Sequence, residues 1–169
     1  TIVRDTNILI ISDEVYEHII FDGYEHQSVA RYPKLAERSF IVYSFGKTFH
    51  ATGWKLGYCV APEKMMKEFR KMHQFQTFAC NHPMQMALAV YLLNENNYNA
   101  IGSMYQYKRD LFNSLLKDSR FEIRPSAGTY FQLLDYKAIS DEKDIDLAKQ
   151  WTIDHKVSSI PVSVFYRQP

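Results

Sequence analysis

The sequence predicts an α/β chain, in which a sheet carries helices and a smaller α+β unit follows it. Three observations predict this. Ile8-Leu9-Ile10-Ile11 and Phe40-Ile41-Val42-Tyr43 are near-continuous apolar runs, the pattern of strands covered on both faces. Stretches with helical spacing occupy the region from Pro62 to Leu116. Near Asp118 the pattern changes to short strand-like runs and one amphipathic stretch.

In chain order, Asn7 to Ser12 reads as a strand, and Ala30 to Arg38 as an irregular connection around Pro33. Phe40 to Tyr43 and Trp54 to Val60 read as the next two strands. Pro62 opens a helix, because its fixed φ suits a first turn. Met65, Met66, Phe69, Met72 and Phe75 lie at helical spacing along it and read as core. Asn81 to Leu93 and Tyr98 to Leu116 read as two further helices. Phe121-Glu122-Ile123 and Tyr130 to Leu134 are strand-like, with Ser126-Ala127-Gly128-Thr129 as the turn between them. Asp141 to His155 places Ile145, Leu147, Ala148, Trp151 and Ile153 on or near one face. A domain boundary is expected after the long helix, giving residues 1–117 and 118–169.

Composition narrows the function. The 169 residues carry a net charge of +1, so no global field draws nucleic acid or acidic membranes. No apolar run has the length of a membrane span, and no secretory signal opens the chain. Two cysteines are too few for a disulfide framework, so a reduced, cytoplasmic setting is expected. Cys80, His82, His50 and His73 lack structural-zinc spacing, so no metal is expected. Thr1 at the start, and an end at Val162 to Pro169 without a closing element, read as a fragment of a larger protein.

The residues suited to chemistry sit at strand ends. Lys47 follows Phe40 to Tyr43 in Ser44-Phe45-Gly46-Lys47-Thr48. Such an amine is an inert ammonium unless its surroundings change it or it condenses with an aldehyde; it also fits an ordinary solvated lysine. Asp13 ends the first strand, where open α/β sheets bind ligands, or else caps a helix. Tyr16, three residues on, fits either a core position or a phenol facing the same site. The Lys47 segment is no nucleotide P-loop, since Ile41 stands where that pattern needs glycine. Ser44 and Lys55 could still clamp one phosphate monoester.

Two segments, Ser12-Asp13-Glu14-Val15-Tyr16 and Ser44-Phe45-Gly46-Lys47-Thr48-Phe49-His50-Ala51-Thr52-Gly53-Trp54-Lys55-Leu56-Gly57-Tyr58, resemble the fold-type I pyridoxal-phosphate aminotransferases, especially the methionine and kynurenine branch. Ser126 to Phe131 and Ile160-Pro161 fit the same family. The resemblance implies part of a large, mostly parallel cofactor-binding domain and part of a small α+β C-terminal domain. It implies pyridoxal 5′-phosphate as cofactor, with Lys47 condensing with its aldehyde and then acting as general base at the substrate Cα. Asp13 would pair with the ring nitrogen, Tyr16 with the ring oxygen, and Ser44 and Lys55 with the phosphate. Phe78 would point toward the substrate. The implied reaction moves an amino group from an apolar, thioether or aromatic amino acid to a 2-oxo acid, in a homodimer. A carbon–sulfur lyase on the same scaffold, or a folded remnant without activity, are the alternatives. The family's phosphate loop would lie upstream and its carboxylate-binding arginine downstream; Arg167 is not at that motif position. The isolated chain is therefore expected to be a poor enzyme.

Overall fold

The computed structural model describes residues 2–167; Thr1, Gln168 and Pro169, which enter the reading of the termini, lie outside the described residues. The chain divides into two compact units, Thr1–Ser114 with Pro125–Gln132, and Leu115–Arg124 with Leu133–Pro169.

The first unit is built on a three-stranded sheet in the order β1 (Ile10–Asp13), β2 (Ser39–Ser44), β3 (Gly57–Val60). β1 and β2 are parallel, with Asp13 opposite Val42. β2 and β3 are antiparallel, with Ser44 opposite Gly57. Gly57 is required there, because a Cβ would collide with the Tyr43 carbonyl oxygen. Between β1 and β2 come a 3-10 turn at Val29–Arg31 and the short helix α1 (Pro33–Ala36). Ser39, fully buried, ties β2 to α1 by donating its hydroxyl to the Leu35 carbonyl at 2.6 Å.

β2 passes directly into α2 (Phe45–Thr48). The longer helices are α3 (Glu63–Gln76), α4 (His82–Tyr91) and α6 (Ile101–Leu116), with the single turn α5 (Asn96–Asn99) before α6. Pro62 precedes α3 as expected, and Asn81 caps α4 by accepting from the Met84 N–H. The core is Ile19, Phe21 and Ile101, with Tyr16, Phe49, Tyr98 and Tyr105 packed on it.

Two expectations need correction. The apolar face of α3 is not core: Met65 and Met66 are half-buried, but Met72 and Phe75 are 68% and 88% exposed. β1 is not covered on both faces either, since Ile11 is 76% exposed. The periodicity is real in both cases, yet no element among the described residues packs over those side chains.

Glu14 locks the sheet end that carries Asp13. Its side chain is almost wholly buried and accepts from Ser12 Oγ (2.9 Å), the Val29 N–H (2.9 Å) and the Tyr43 hydroxyl (3.1 Å), while His26 Nε2 lies at 2.8 Å. Burial opposes its charge. The Val29 N–H, His26 and the Ser28 and Ser12 hydroxyls outweigh burial and lower the carboxyl from 4.5 to about 2. The folded value is the lower one, so this stabilisation is complete above about pH 4.5 and is lost as pH falls toward 2. Glu14→Gln should therefore flatten the acid limb of a melting-temperature profile. Glu14→Ala, which strands these donors, should cost about 3 kcal/mol in a denaturant titration.

In the second unit, β4 (Glu122–Ile123) and β5 (Leu134–Asp135) form an antiparallel pair. Helix α7 (Asp144–Asp154) buries Leu147 and Ala148 and sets Trp151 edge-on to Phe121. Asp144 accepts from the Ser163 N–H (2.7 Å) and hydroxyl (2.6 Å), which secures the 3-10 turn Val162–Phe165.

Candidate active site

Parallel β1 and β2 end side by side, and their C-terminal ends carry the residues singled out above. Asp13 is the last residue of β1 and is exposed. No helix starts there, so the capping role is not realised. A turn follows instead, closed by the Glu17 N–H on the Glu14 carbonyl and the Ile19 N–H on the Tyr16 carbonyl. Among the described residues no hydrogen bond reaches the Asp13 carboxylate, which leaves its acceptor capacity open to a ligand.

That turn brings Tyr16 inward. Tyr16 is half-buried, packs on the core, and stands edge-on to Tyr130 at 5.1 Å and Phe131 at 6.3 Å. Its phenol is raised above the ordinary value, first by burial, then by Tyr130 and by the negative charge of Asp13. Asp13 and Tyr16 are thus electrostatic neighbours.

Lys47 lies in α2, three residues beyond the end of β2, and is half-buried. The short helix is pinned by the Phe49 N–H on the Phe45 carbonyl and the Ala51 N–H on the Gly46 carbonyl. Gly46 permits this close return, since a Cβ would lie 2.9 Å from Thr52 Cα. The Lys47 amine stands 5.9 Å from the centre of the Tyr130 ring.

Ser44 is the residue before α2 and is half-buried; its side chain makes no cap, and its carbonyl accepts from Thr48 Oγ1 at 3.3 Å. Lys55 is exposed and left-handed (φ 54°), just after the 3-10 turn Thr52–Trp54. The Phe45 N–H donates to the Leu56 carbonyl at 3.1 Å, so the backbones flanking Ser44 and Lys55 are in direct contact. Phe78 is different. It is 82% exposed, lies past the end of α3, and makes no ring contact with the other nominated residues among those described.

The site also contains residues that the sequence reading did not nominate. Tyr130 touches both Tyr16 and Lys47, and Tyr105 packs on Tyr130 while its hydroxyl meets His50 Nδ1 at 2.9 Å. The only signal in the sequence was Tyr130 beside a Gly-Thr turn. Chemically, the rim combines a primary amine, an accessible carboxylate and phenols, with a hydroxyl and an ammonium on adjoining backbone. Among the described residues no group of His, Cys, Asp and Glu side chains could hold a metal ion. No helix is long and apolar enough to cross a membrane among the residues described.

Comparison with known proteins gives a consistent result. Residues 1–168 match aminotransferase class I and II. Methionine aminotransferase of Escherichia coli (strain K12) is 50% identical over 96% of this chain, and kynurenine–oxoglutarate transaminase of Dictyostelium discoideum is 36% identical over 95%. These matches cover 42% and 41% of the two relatives, so the chain spans about two-fifths of their length. A solved Escherichia coli structure, described as having a methionine aminotransferase function, superposes with a TM-score of 0.93 at 48% identity. It covers 99% of this chain and 44% of that one. N-succinyldiaminopimelate aminotransferase from Mycobacterium tuberculosis gives 0.91 at 30% identity, over 98% and 43% of the two chains. With a match running along nearly its whole length, this α/β chain belongs to the aminotransferase class I and II family.

Proposed function

We propose that this chain carries the lysine-bearing part of a pyridoxal 5′-phosphate-dependent aminotransferase. The reaction proposed takes the amino group from an apolar, thioether or aromatic amino acid and gives it to a 2-oxo acid. The observation that carries the reading is the convergence of Lys47, Asp13 and Tyr16 at the ends of two parallel strands. Similarity to methionine and kynurenine transaminases supports the choice of amino acid. Residues 1–117 are proposed as part of the cofactor-binding domain and 118–169 as part of the small domain. A homodimer in a cytoplasmic setting completes the proposal; exposed Met72, Phe75 and Val90 provide apolar surface for such a contact.

The residues present fit the cofactor. Lys47 supplies an amine on a half-buried residue, Asp13 an acceptor with open capacity, Tyr16 a phenol, and Ser44 and Lys55 a donor and a cation. Lys47 would attach the cofactor covalently, Asp13 would hold a proton on its ring nitrogen, Tyr16 would meet its ring oxygen, and Ser44 with Lys55 would bind its phosphate. When bound, the group accepts the electrons left as the substrate Cα–H bond breaks. The Lys47 amine then takes that proton as general base. Phe78 enters the proposal as a residue facing substrate through its place in the sequence.

Borohydride reduction of the full-length protein should label Lys47 with a pyridoxyl group. Methionine with a 2-oxo acid should yield the exchanged amino and oxo acids. Absence of the label overturns the reading. Release of pyruvate and ammonia from cystathionine without an amino acceptor would replace transamination by the carbon–sulfur lyase reaction.

A further inference from the structure

The loop Pro125–Gln132 packs with the first unit and is fixed there from several sides. The Phe21 N–H donates to the Ala127 carbonyl and the Thr129 N–H to the Ile19 carbonyl, both at 2.9 Å. Arg109 Nη1 donates to the Ser126 carbonyl at 2.6 Å while the guanidinium grips both oxygens of Asp22. Gly128 approaches so closely that a Cβ would stand 2.8 Å from the Ile19 carbonyl oxygen. Thr129, a β-branched residue, is held in the left-handed region (φ 66°), a conformation that persists only where its surroundings impose it.

This fixed loop aims one side chain at the site. The Tyr130 ring is edge-on to Tyr16, 5.8 Å from Tyr105 and 5.0 Å from Phe131, so its orientation is set by three aromatic neighbours. The Lys47 amine lies 5.9 Å from its ring centre. A lysine amine on four rotatable carbons is otherwise poorly positioned for a directed proton transfer.

We propose that Tyr130 is a positioning residue for Lys47: its hydroxyl orients the amine whenever that amine is not bonded to the cofactor, and so sets the rate of proton transfer at the substrate Cα. The proposal rests on the role assigned to Lys47 above. Burial alone would push the Tyr130 phenol up, yet hydrogen bonds from Tyr16 and Lys47 and the charge of Lys47 bring it below the ordinary value. Tyr16 is the larger of these two influences, and Lys47, 5.9 Å from the ring centre, acts in the same direction. The proposed function assigns Tyr16 to the cofactor ring, so the two phenols have separate tasks.

Tyr130→Phe keeps the ring and removes only the hydroxyl. In the loaded full-length enzyme, kcat should fall about 10- to 100-fold with KM changed less than about threefold. The isotope effect from a deuterated substrate Cα should rise. A second measurement needs no turnover. In cofactor-free full-length protein labelled at tyrosine Cζ, the resonance lost in Tyr130→Phe should titrate below the ordinary tyrosine range. It should move upward in Lys47→Gln. Wild-type kcat and isotope effect in Tyr130→Phe, or a Tyr130 titration indifferent to Lys47→Gln, would overturn the proposal. Failure of borohydride to label Lys47 would instead remove the parent reading, and the resonance would still report whether the contact exists.

Discussion

Lys47→Ala is expected to lower transamination by roughly four orders of magnitude or more, the largest effect of any single change in this chain. Under the proposed function two tasks would vanish together: covalent attachment of the cofactor and acceptance of the Cα proton. The fold should survive, because Lys47 is on the rim of a short helix whose buried members are Gly46 and Thr48. Lys47→Arg should be nearly as damaging, since a guanidinium keeps its proton at any working pH. Visible absorbance of the bound cofactor, single-turnover kinetics and a melting curve check the three parts. Near-wild-type turnover in either variant would rule out an essential amine at this position.

Asp13→Asn is expected to have the next largest effect, about a thousandfold in kcat. Unit charges about 4 Å apart at an effective dielectric near 20 attract by roughly 4 kcal/mol. That corresponds to about three pKa units for a ring nitrogen held protonated by the carboxylate. Asparagine keeps the shape and loses the charge. Because Asp13 is exposed at the end of β1 and no hydrogen bond among the described residues reaches its carboxylate, stability should hardly change. The measurements are kcat for amino-group transfer and the pH dependence of the bound cofactor's absorbance. A loss below about tenfold would detach Asp13 from the ring nitrogen.

The locally encoded parts of this molecule were legible in the sequence. β1, β2 and β3 occur inside or beside the runs expected, because β-branched and aromatic clusters specify extended chain directly. Pro62 and Asn81 marked the starts of α3 and α4 through the backbone groups they satisfy or lack. The long helix expected from Tyr98 is instead broken at Ala100 into α5 and α6. Its approach is rich in asparagine: Asn94 Oδ1 accepts from the Asn96 N–H and Asn97 donates to the Tyr91 carbonyl, so side chains compete with the helical ladder. The strand expected over Tyr130 to Leu134 shrinks to Leu134–Asp135, because the left-handed turn at Thr129 diverts Tyr130 and Phe131 onto Tyr16.

The site divides along the same line. Lys47, Asp13 and Tyr16 could be nominated from strand ends, which are properties of neighbouring residues. Tyr130 could not, since its place depends on hydrogen bonds to Ile19 and Phe21 from the far side of the sequence. The burial of Glu14 arises only once His26, Val29 and Tyr43 fold around it.

The open side of β1 has a practical outcome for anyone handling this polypeptide alone. Among the described residues only one flank of that strand is paired, while Ile8, Leu9 and Ile11 face water. A backbone ladder with vacant donors and acceptors, beside a greasy stripe, is a ready template for another copy to dock as an extra strand. Concentrated solutions of the isolated 169-residue chain should therefore self-associate into β-rich aggregates unless some further stretch of polypeptide shields that margin.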